Sequence, residues 1–250
     1  MQLYDRGTAL GMNRLKQWFY GAPKHPTMKN NEESFLMFDE GRSLEECNFV
    51  VLDTELTGLN PRRHEIISIG AVRVRNMRIA VDENFHAYVH PIKPLLKEST
   101  LVHRITSEQL EVAPGLEEVL PEFIEFCGAS VLIGHYLHID LAFINRAAKK
   151  ILGGRLQNPN IDCARLAQAH LKYLNRSGVK RISLDDAFQL PKLAGDYGLP
   201  LFLPHDALED AMQTAYLFIF LASKLREHGL VTFRDFRQAA EQGLEDNALI

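Results

Sequence analysis

Hydrophobic positions along the chain first form short apolar runs and later follow helical spacing. The run at 49–52 is continuous and apolar, which is typical of a buried strand. The segments 66–74 and 79–89 predict two further strands joined as a hairpin. Beyond them, helical patterns alternate with short apolar strands at 130–133 and near 160–161. This order predicts an α/β protein in which helices pack against a sheet.

Breaks in the pattern divide the chain into a central domain and two flanking segments. Residues 1–46 form an N-terminal extension, in which Pro23 and Pro26 interrupt an amphipathic stretch before a polar one. The compact domain is predicted over 47–228, and a helix with a tail over 229–250. No pattern in the extension assigns it a role.

Composition limits the class of protein. With 250 residues, of which 46% are hydrophobic, the chain can bury a substantial core. The longest apolar run, 215–222, is too short for a membrane span, and the first thirty residues lack a secretory signal. Three cysteines, widely spaced at 47, 127 and 163, predict neither a disulfide framework nor a zinc knuckle. The expected location is the reducing cytoplasm.

Charge is distributed unevenly along the chain. The formal net charge of −4 argues against a protein that coats duplex nucleic acid. The segment 145–181 nevertheless carries nine Lys and Arg residues and one acid, Asp162. A solvated helix face and a basic rim for a polyanion are both compatible with this run.

Two acids at the end of the first strand are the first candidate site. Asp53 and Glu55 are two residues apart, so in a strand both side chains point to the same side. Buried carboxylates are costly unless a divalent cation neutralises them, whereas a solvated turn is the ordinary alternative. Thr57 and Gly58 predict a tight turn that leaves backbone N–H groups free beside the carboxylates.

Two further acids stand where helices begin. Asp140 follows the strand at 130–133, and it is either a helix N-cap or a ligand at the open end of the sheet. Asp206 and Glu209 match a capping box and are interpreted as helix starters. Asp210 instead shares a helix face with small and apolar residues, and an inward acid needs a partner. His205 lies directly before this helix, free to reach the same site.

Taken together and in this order, these segments resemble the DEDDh exonuclease family, which includes the proofreading epsilon subunits of bacterial DNA polymerase III. The resemblance covers about residues 48–226. The family motif D-T-E-x-T-G corresponds to 53–58, and H-x-A-x-x-D-A-x-x-T corresponds to 205–214. The motif G-H-N-x-x-F-D-x-x-F corresponds to 134–143, and V-H-G-I-T to 102–106.

Four positions depart from the family pattern. Tyr136 replaces an Asn, Ile139 a Phe, Arg104 a Gly, and Leu56 a frequent Thr. The five residues that define the family are all present, so the resemblance implies an active enzyme.

The resemblance implies an RNase H-like three-layer fold with a central mixed five-stranded sheet flanked by helices. It also implies a 3′–5′ exonuclease of the proofreading or repair type that releases nucleoside 5′-monophosphates with two Mg²⁺ or Mn²⁺ ions. Asp53 would bridge the ions, Glu55 and Asp210 would hold the water-activating one, Asp140 would support the second, and His205 would be the general base. The substrate-binding residues expected from the motifs are Thr54, Leu56, Thr57, Gly58, His103, His135, Tyr136 and Phe143.

The expected partner is the 3′ end of single-stranded nucleic acid, with DNA favoured over RNA, and a DNA polymerase subunit is a second candidate. No membrane partner is expected, and the oligomeric state is left open. Two alternatives remain: an exoribonuclease that trims RNA 3′ ends, and a polymerase-associated binding module with little activity. The intact set of carboxylates argues against the module, because buried acids without a use only destabilise a fold.

Overall fold

The computed structural model describes residues 24–93, 105–176 and 188–245. Their strands form one mixed sheet of five in the order β3-β2-β1-β4-β5. The strands are β1 (Asn48–Leu56), β2 (Ile66–Arg75), β3 (Arg78–Tyr88), β4 (Val131–Gly134) and β5 (Asn160–Asp162). Helices cover both faces, so the predicted three-layer α/β fold with a five-stranded sheet is confirmed.

Eight helices are assigned in the described part of the chain. They are α1 (Pro26–Phe35), α2 (Ser107–Glu111), α3 (Leu116–Cys127), α4 (His138–Ile151), α5 (Cys163–Arg176), α6 (Leu190–Asp196), α7 (Ala207–Arg226) and α8 (Phe233–Glu245). A short 3₁₀ turn spans Leu44–Glu46. The helix predicted within 229–250 is therefore present, as α8.

β1 is the central strand, and its side chains alternate between two core layers. Phe49 and Val51 pack in the layer that contains α7, whereas Val50 and Leu52 pack with α3 and α4. Because a core layer packs on each side of the sheet, both faces of this strand are apolar.

The end of β1 differs from the sequence prediction. The apolar run suggested that the strand ends near Leu52, with the two acids beyond it. Parallel pairing with β4 does stop at Val51, but the antiparallel ladder with β2 continues to Leu56. Asp53 and Glu55 are therefore held inside the strand by backbone hydrogen bonds to β2.

The described part of the N-terminal extension packs on the central domain. Met28 on α1 is fully buried in the layer that contains α3 and α4. Asn31 donates its side-chain N–H to Asn158 at 2.6 Å, and both residues are buried. Leu44 is also fully buried in the layer that contains α7. Residues 1–23 lie outside the described ranges, and the boundary at 46/47 stays a prediction.

Within the described residues, no helix is both long and apolar enough to cross a membrane. All three cysteines are buried and have free thiols.

Candidate active site

Four carboxylates from three elements converge at the end of β1. Asp53 and Glu55 lie on β1, Asp140 in the first turn of α4, and Asp210 in the first turn of α7. Asp140 and Glu55 are only 5% and 8% exposed. The charges of Glu55, Asp140 and Asp210 all act on Asp53.

A glycine on β2 allows α7 to approach the sheet. Gly70 is the ladder partner of Asp53. A Cβ atom at this position would lie 2.1 Å from the carbonyl carbon of Ala207 and 2.2 Å from the amide nitrogen of Leu208. No side chain fits there, so glycine is required for the first turn of α7 to reach the strand that carries Asp53. A lone glycine inside a strand pattern is the sequence signal for such an approach.

The start of α7 is built by side-chain capping. The Asp206 carboxylate accepts from the backbone N–H groups of Leu208 and Glu209, at 3.0 and 3.1 Å, which confirms Asp206 as a helix starter. Ala207 and Ala211 are buried on the inward face, as predicted. This geometry directs Asp210 towards the sheet.

His205 adopts a left-handed backbone conformation with φ of +66°. Its backbone N–H donates to Oδ2 of Asp210 at 2.8 Å. One potential ligand atom from each of Glu55, His205 and Asp210 lies within 4.8 Å of the other two. A non-glycine residue in this conformation is strained, and such strain is common at functional sites.

Asp140 is not the N-cap of α4, so the capping alternative for this residue is wrong. The N-cap is Leu137, which places Asp140 at the third helical position. The hydroxyl of Thr54 donates to Oδ1 of Asp140 at 2.5 Å. Thr54, predicted as a substrate contact, is buried and orients this carboxylate.

Burial raises the pKa values of the four acids, and repulsion from neighbouring carboxylates raises them further. Burial raises the pKa of Asp53 well above its ordinary value, and the charges of Asp140 and Asp210 raise it further. Burial, reinforced by the charge of Asp210, raises the pKa of Glu55 to about 7. The pKa values of Asp140 and Asp210 are raised as well, also chiefly by burial. Near neutral pH, full ionisation of this cluster therefore needs a compensating positive charge.

The donor set fits hard divalent cations. The four acids offer only oxygen ligands, which Mg²⁺ and Mn²⁺ prefer, and the nearest additional donor is an imidazole. Buried carboxylates with raised pKa values are the arrangement that a bound cation would relieve.

The second motif places its predicted substrate residues in different environments. Tyr136 is 40% exposed beside the site, and its backbone N–H donates to Asp162 at 3.2 Å. Nε2 of His135 lies 2.6 Å from the carbonyl oxygen of Phe188, and burial lowers the pKa of this histidine. Phe143 is only 4% exposed and packs in the core. Of these three, Tyr136 alone has a large exposed surface.

The predicted tight turn at Thr57 and Gly58 is wrong. The backbone N–H of Thr57 donates to the carbonyl of Glu65, and its hydroxyl accepts from the N–H of Glu65, both at 3.0 Å. These bonds close the base of a longer loop, so the Thr57 N–H is not free. Leu56 and Gly58 are half-buried at the same corner. His103 lies outside the described residues.

Asp162 is a residue near the site that the sequence analysis did not select. It is buried at the end of β5, where Oδ1 accepts from the N–H groups of Tyr136 and Ala164. Its charge contributes to the raised pKa of Asp140. A lone acid in a basic run, directly after a short apolar strand, was the available signal.

Comparison with known proteins gives one family. The RNase T-type exonuclease family model matches residues 50–218. The chain is 33% identical to the DNA polymerase III epsilon subunit of Aquifex aeolicus over 198 residues, which are 79% of this chain and 90% of that protein. It is 35% identical over 224 residues to the PolC-type DNA polymerase III of Thermotoga petrophila. That match covers 85% of this chain but only 15% of the polymerase.

Solved structures share the fold. Escherichia coli Exonuclease I in complex with a dT13 oligonucleotide superposes with a TM-score of 0.62 at 16% identity, covering 74% of this chain and 43% of that one. Exonuclease X in complex with 5′ overhanging duplex DNA gives 0.55 at 22% identity, covering 77% and 99%.

Proposed function

The chain belongs to the RNase T-type exonuclease family, and we propose that it removes nucleoside 5′-monophosphates from the 3′ end of single-stranded DNA. The observation that carries this proposal is the convergence of four acids and His205 at one end of β1. Three chain segments, far apart in sequence, deliver these groups to a single edge of the sheet.

The acids are suited to holding two divalent cations. The charges of both Asp140 and Asp210 act on Asp53, which suits a ligand shared by two ions. Glu55 and Asp210 share one side with His205, and Asp140 completes the other. When bound, such a pair of ions activates water and neutralises charge on the attacking and leaving oxygens.

His205 is the proposed proton acceptor. It is exposed at the mouth of the site, while its backbone is anchored to Asp210. An imidazole can accept a proton at neutral pH, whereas a carboxylate engaged with a cation is a poor acceptor. This hydrogen bond holds His205 close to the acids, while its imidazole stays exposed to solvent.

Thr54 is proposed to keep one carboxylate in position. Its hydroxyl donates a short hydrogen bond to Oδ1 of Asp140. Thr54 and the two acids on β1 point to opposite faces of the strand. The strand therefore supplies two ligands from one face and the support for a third from the other.

Two observations support DNA as the substrate. The epsilon subunit that this chain matches over 90% of its length is named as part of a DNA polymerase. Exonuclease I, which shares the fold, was solved with a DNA oligonucleotide. The same relatives support a polymerase subunit as a partner.

The test is degradation of 5′-labelled single-stranded DNA and RNA of one sequence, with Mg²⁺, Mn²⁺ or EDTA. We expect a ladder that shortens from the 3′ end of DNA, and no cleavage in EDTA. Asp210→Asn should abolish the ladder, whereas Asp82→Asn, at an exposed position on β3, should not. Undiminished activity of Asp210→Asn, or shortening from the 5′ end, would contradict the proposal. Faster cleavage of RNA would favour the RNA-trimming alternative.

A further inference from the structure

A cleft of about 870 Å³ runs along the outer face of α4. One wall is the loop after β1, at Pro61 and Arg62, and the opposite wall is formed by residues 155–165 around β5. The α4 residues that line it recur at helical spacing, from His138 and Leu141 to Lys149. The buried face of α4, with Asp140, points the other way.

The lining of this cleft is strongly basic. Asp162 is its only acid among the described residues. Oδ1 of Asp162 accepts hydrogen bonds from two backbone N–H groups, those of Tyr136 and Ala164. Nδ1 of His138 lies 3.8 Å from Oδ2 of Asp162, but in the part of the chain that the structure describes none of the Lys and Arg side chains in the lining forms an ion pair or a side-chain hydrogen bond. These side chains are Arg62, Arg146, Lys149, Lys150, Arg155 and Arg165.

This arrangement differs from an ordinary solvated helix face. Elsewhere in the chain, exposed lysines pair with acids one turn away, as Lys192 does with Asp196 and Lys224 with Glu227. The cleft instead collects cations from three separate segments around one concave surface. Like charges placed together repel each other, and a bound polyanion removes that repulsion.

The cleft begins beside the candidate active site. Leu137 and His138 line its near end, two to three residues before Asp140. At about 1.5 Å per residue, Lys149 lies about 13 Å further along the helix axis. That distance corresponds to about four stacked nucleotides at about 3.4 Å each. Apolar Leu137 and Leu141 add surface for sugars or bases between the charges.

We propose that this cleft binds the phosphodiester backbone of the substrate strand, several nucleotides away from the bond that is cut. The proposal rests on the proposed function for the position of the strand's 3′ end. It extends the basic run seen in the sequence to a specific surface, which adds Arg62 from the loop after β1. Lys180 and Arg181, from the same run, lie outside the described residues. Lys172 does not line the cleft and donates to the carbonyl of Gln242.

The test compares the full chain with a triple variant, Arg146→Gln, Lys149→Gln and Lys150→Gln. Binding of a labelled DNA strand of about 30 nucleotides is measured in EDTA, where no strand is cut, over a range of salt concentrations. The slope of log affinity against log salt should fall by about 2 for three lost contacts, and affinity by about tenfold or more. Hydrolysis of a dinucleotide with metal present should stay within about twofold of the parent, because a dinucleotide does not reach these residues.

A matched control removes three cations outside the cleft: Arg78→Gln, Lys192→Gln and Lys224→Gln. It makes the same change in net charge and should leave the affinity near that of the parent. Thermal melting of both triple variants identifies any loss of folding, and Arg165→Gln provides a single change on the opposite wall. A series of strands from about 2 to 12 nucleotides should show affinity rising with length in the parent and levelling off earlier in the cleft variant.

An equal loss of DNA affinity in both triple variants would overturn the proposal, since only net charge would then matter. Unchanged DNA binding by the cleft variant would overturn the proposal as well. Polyglutamate that competes as well as DNA would overturn the assignment to nucleic acid in favour of an acidic protein. If the parent fails to shorten a labelled DNA strand from its 3′ end, the proposed function fails, and the binding comparison in EDTA still tests the cleft separately.

Discussion

Replacing Glu55 with Gln is expected to make the metal-free protein more stable at pH 8 and to abolish its stabilisation by Mn²⁺. Burial raises the pKa of Glu55 from 4.5 to about 7, so the folded protein favours the protonated carboxyl. A group with a raised pKa stabilises the fold fully below its unfolded pKa, and that contribution is lost as the pH rises towards 7. The parent should therefore lose stability between about pH 4.5 and 8.

The magnitude follows from the size of the shift. A rise from 4.5 to about 7 corresponds to about 3 kcal/mol at about 1.4 kcal/mol per unit. For a chain of this size, that amount corresponds to roughly 6–12 °C in melting temperature. The neutral amide of Glu55→Gln is similar in shape and carries no buried charge at any pH, so its advantage should appear as the pH rises.

The assay is thermal melting of metal-free parent and variant from pH 4.5 to 8, followed by a titration with Mn²⁺ at pH 8. Glu122→Gln, at an exposed position on α3, is the control for loss of a carboxylate and should follow the parent. Mn²⁺ should raise the melting temperature of the parent and of Glu122→Gln, but not that of Glu55→Gln. A Glu55→Gln protein with the parent's pH dependence would refute the reasoning, because the carboxyl would then carry no burial cost.

Three further changes test the site. His205→Ala should lower turnover by about two to four orders of magnitude while Mn²⁺ still raises the melting temperature; a normal rate would remove this histidine from the mechanism. Thr54→Val should destabilise the fold by about 1–3 kcal/mol and reduce kcat, with both restored by Thr54→Ser; wild-type kinetics of the valine variant would show that the hydroxyl is dispensable. Gly70→Ala should push the start of α7 off the sheet, costing about 3 kcal/mol or more and weakening Mn²⁺ binding in calorimetry. Gly195→Ala, where a Cβ meets nothing within 4 Å, is the control, and equal melting temperatures for these two variants would contradict the packing argument.

Features that depend on local sequence pattern could be predicted without the structure. The apolar run of β1 predicts a buried strand, because a strand buried on both faces has no polar alternation. Asp206 caps α7 as its position before a helical pattern predicts. Asp210 can be distinguished from the capping acids Asp206 and Glu209, because small and apolar residues share its helix face. Each of these inferences needs only residues within a turn or two of each other.

Tertiary structure alone decided how those parts meet. β1 continues past Leu52 because β2 pairs with it, and that pairing joins residues on two different strands. Gly70 matters because the backbone of α7 passes within reach of its missing Cβ. Thr54 supports Asp140 across 86 positions of sequence. The basic cleft likewise joins cations from three segments, only two of which belong to the basic run. Contacts of this kind depend on how whole elements pack, and periodicity within one element carries no information about the side chains it will meet on another.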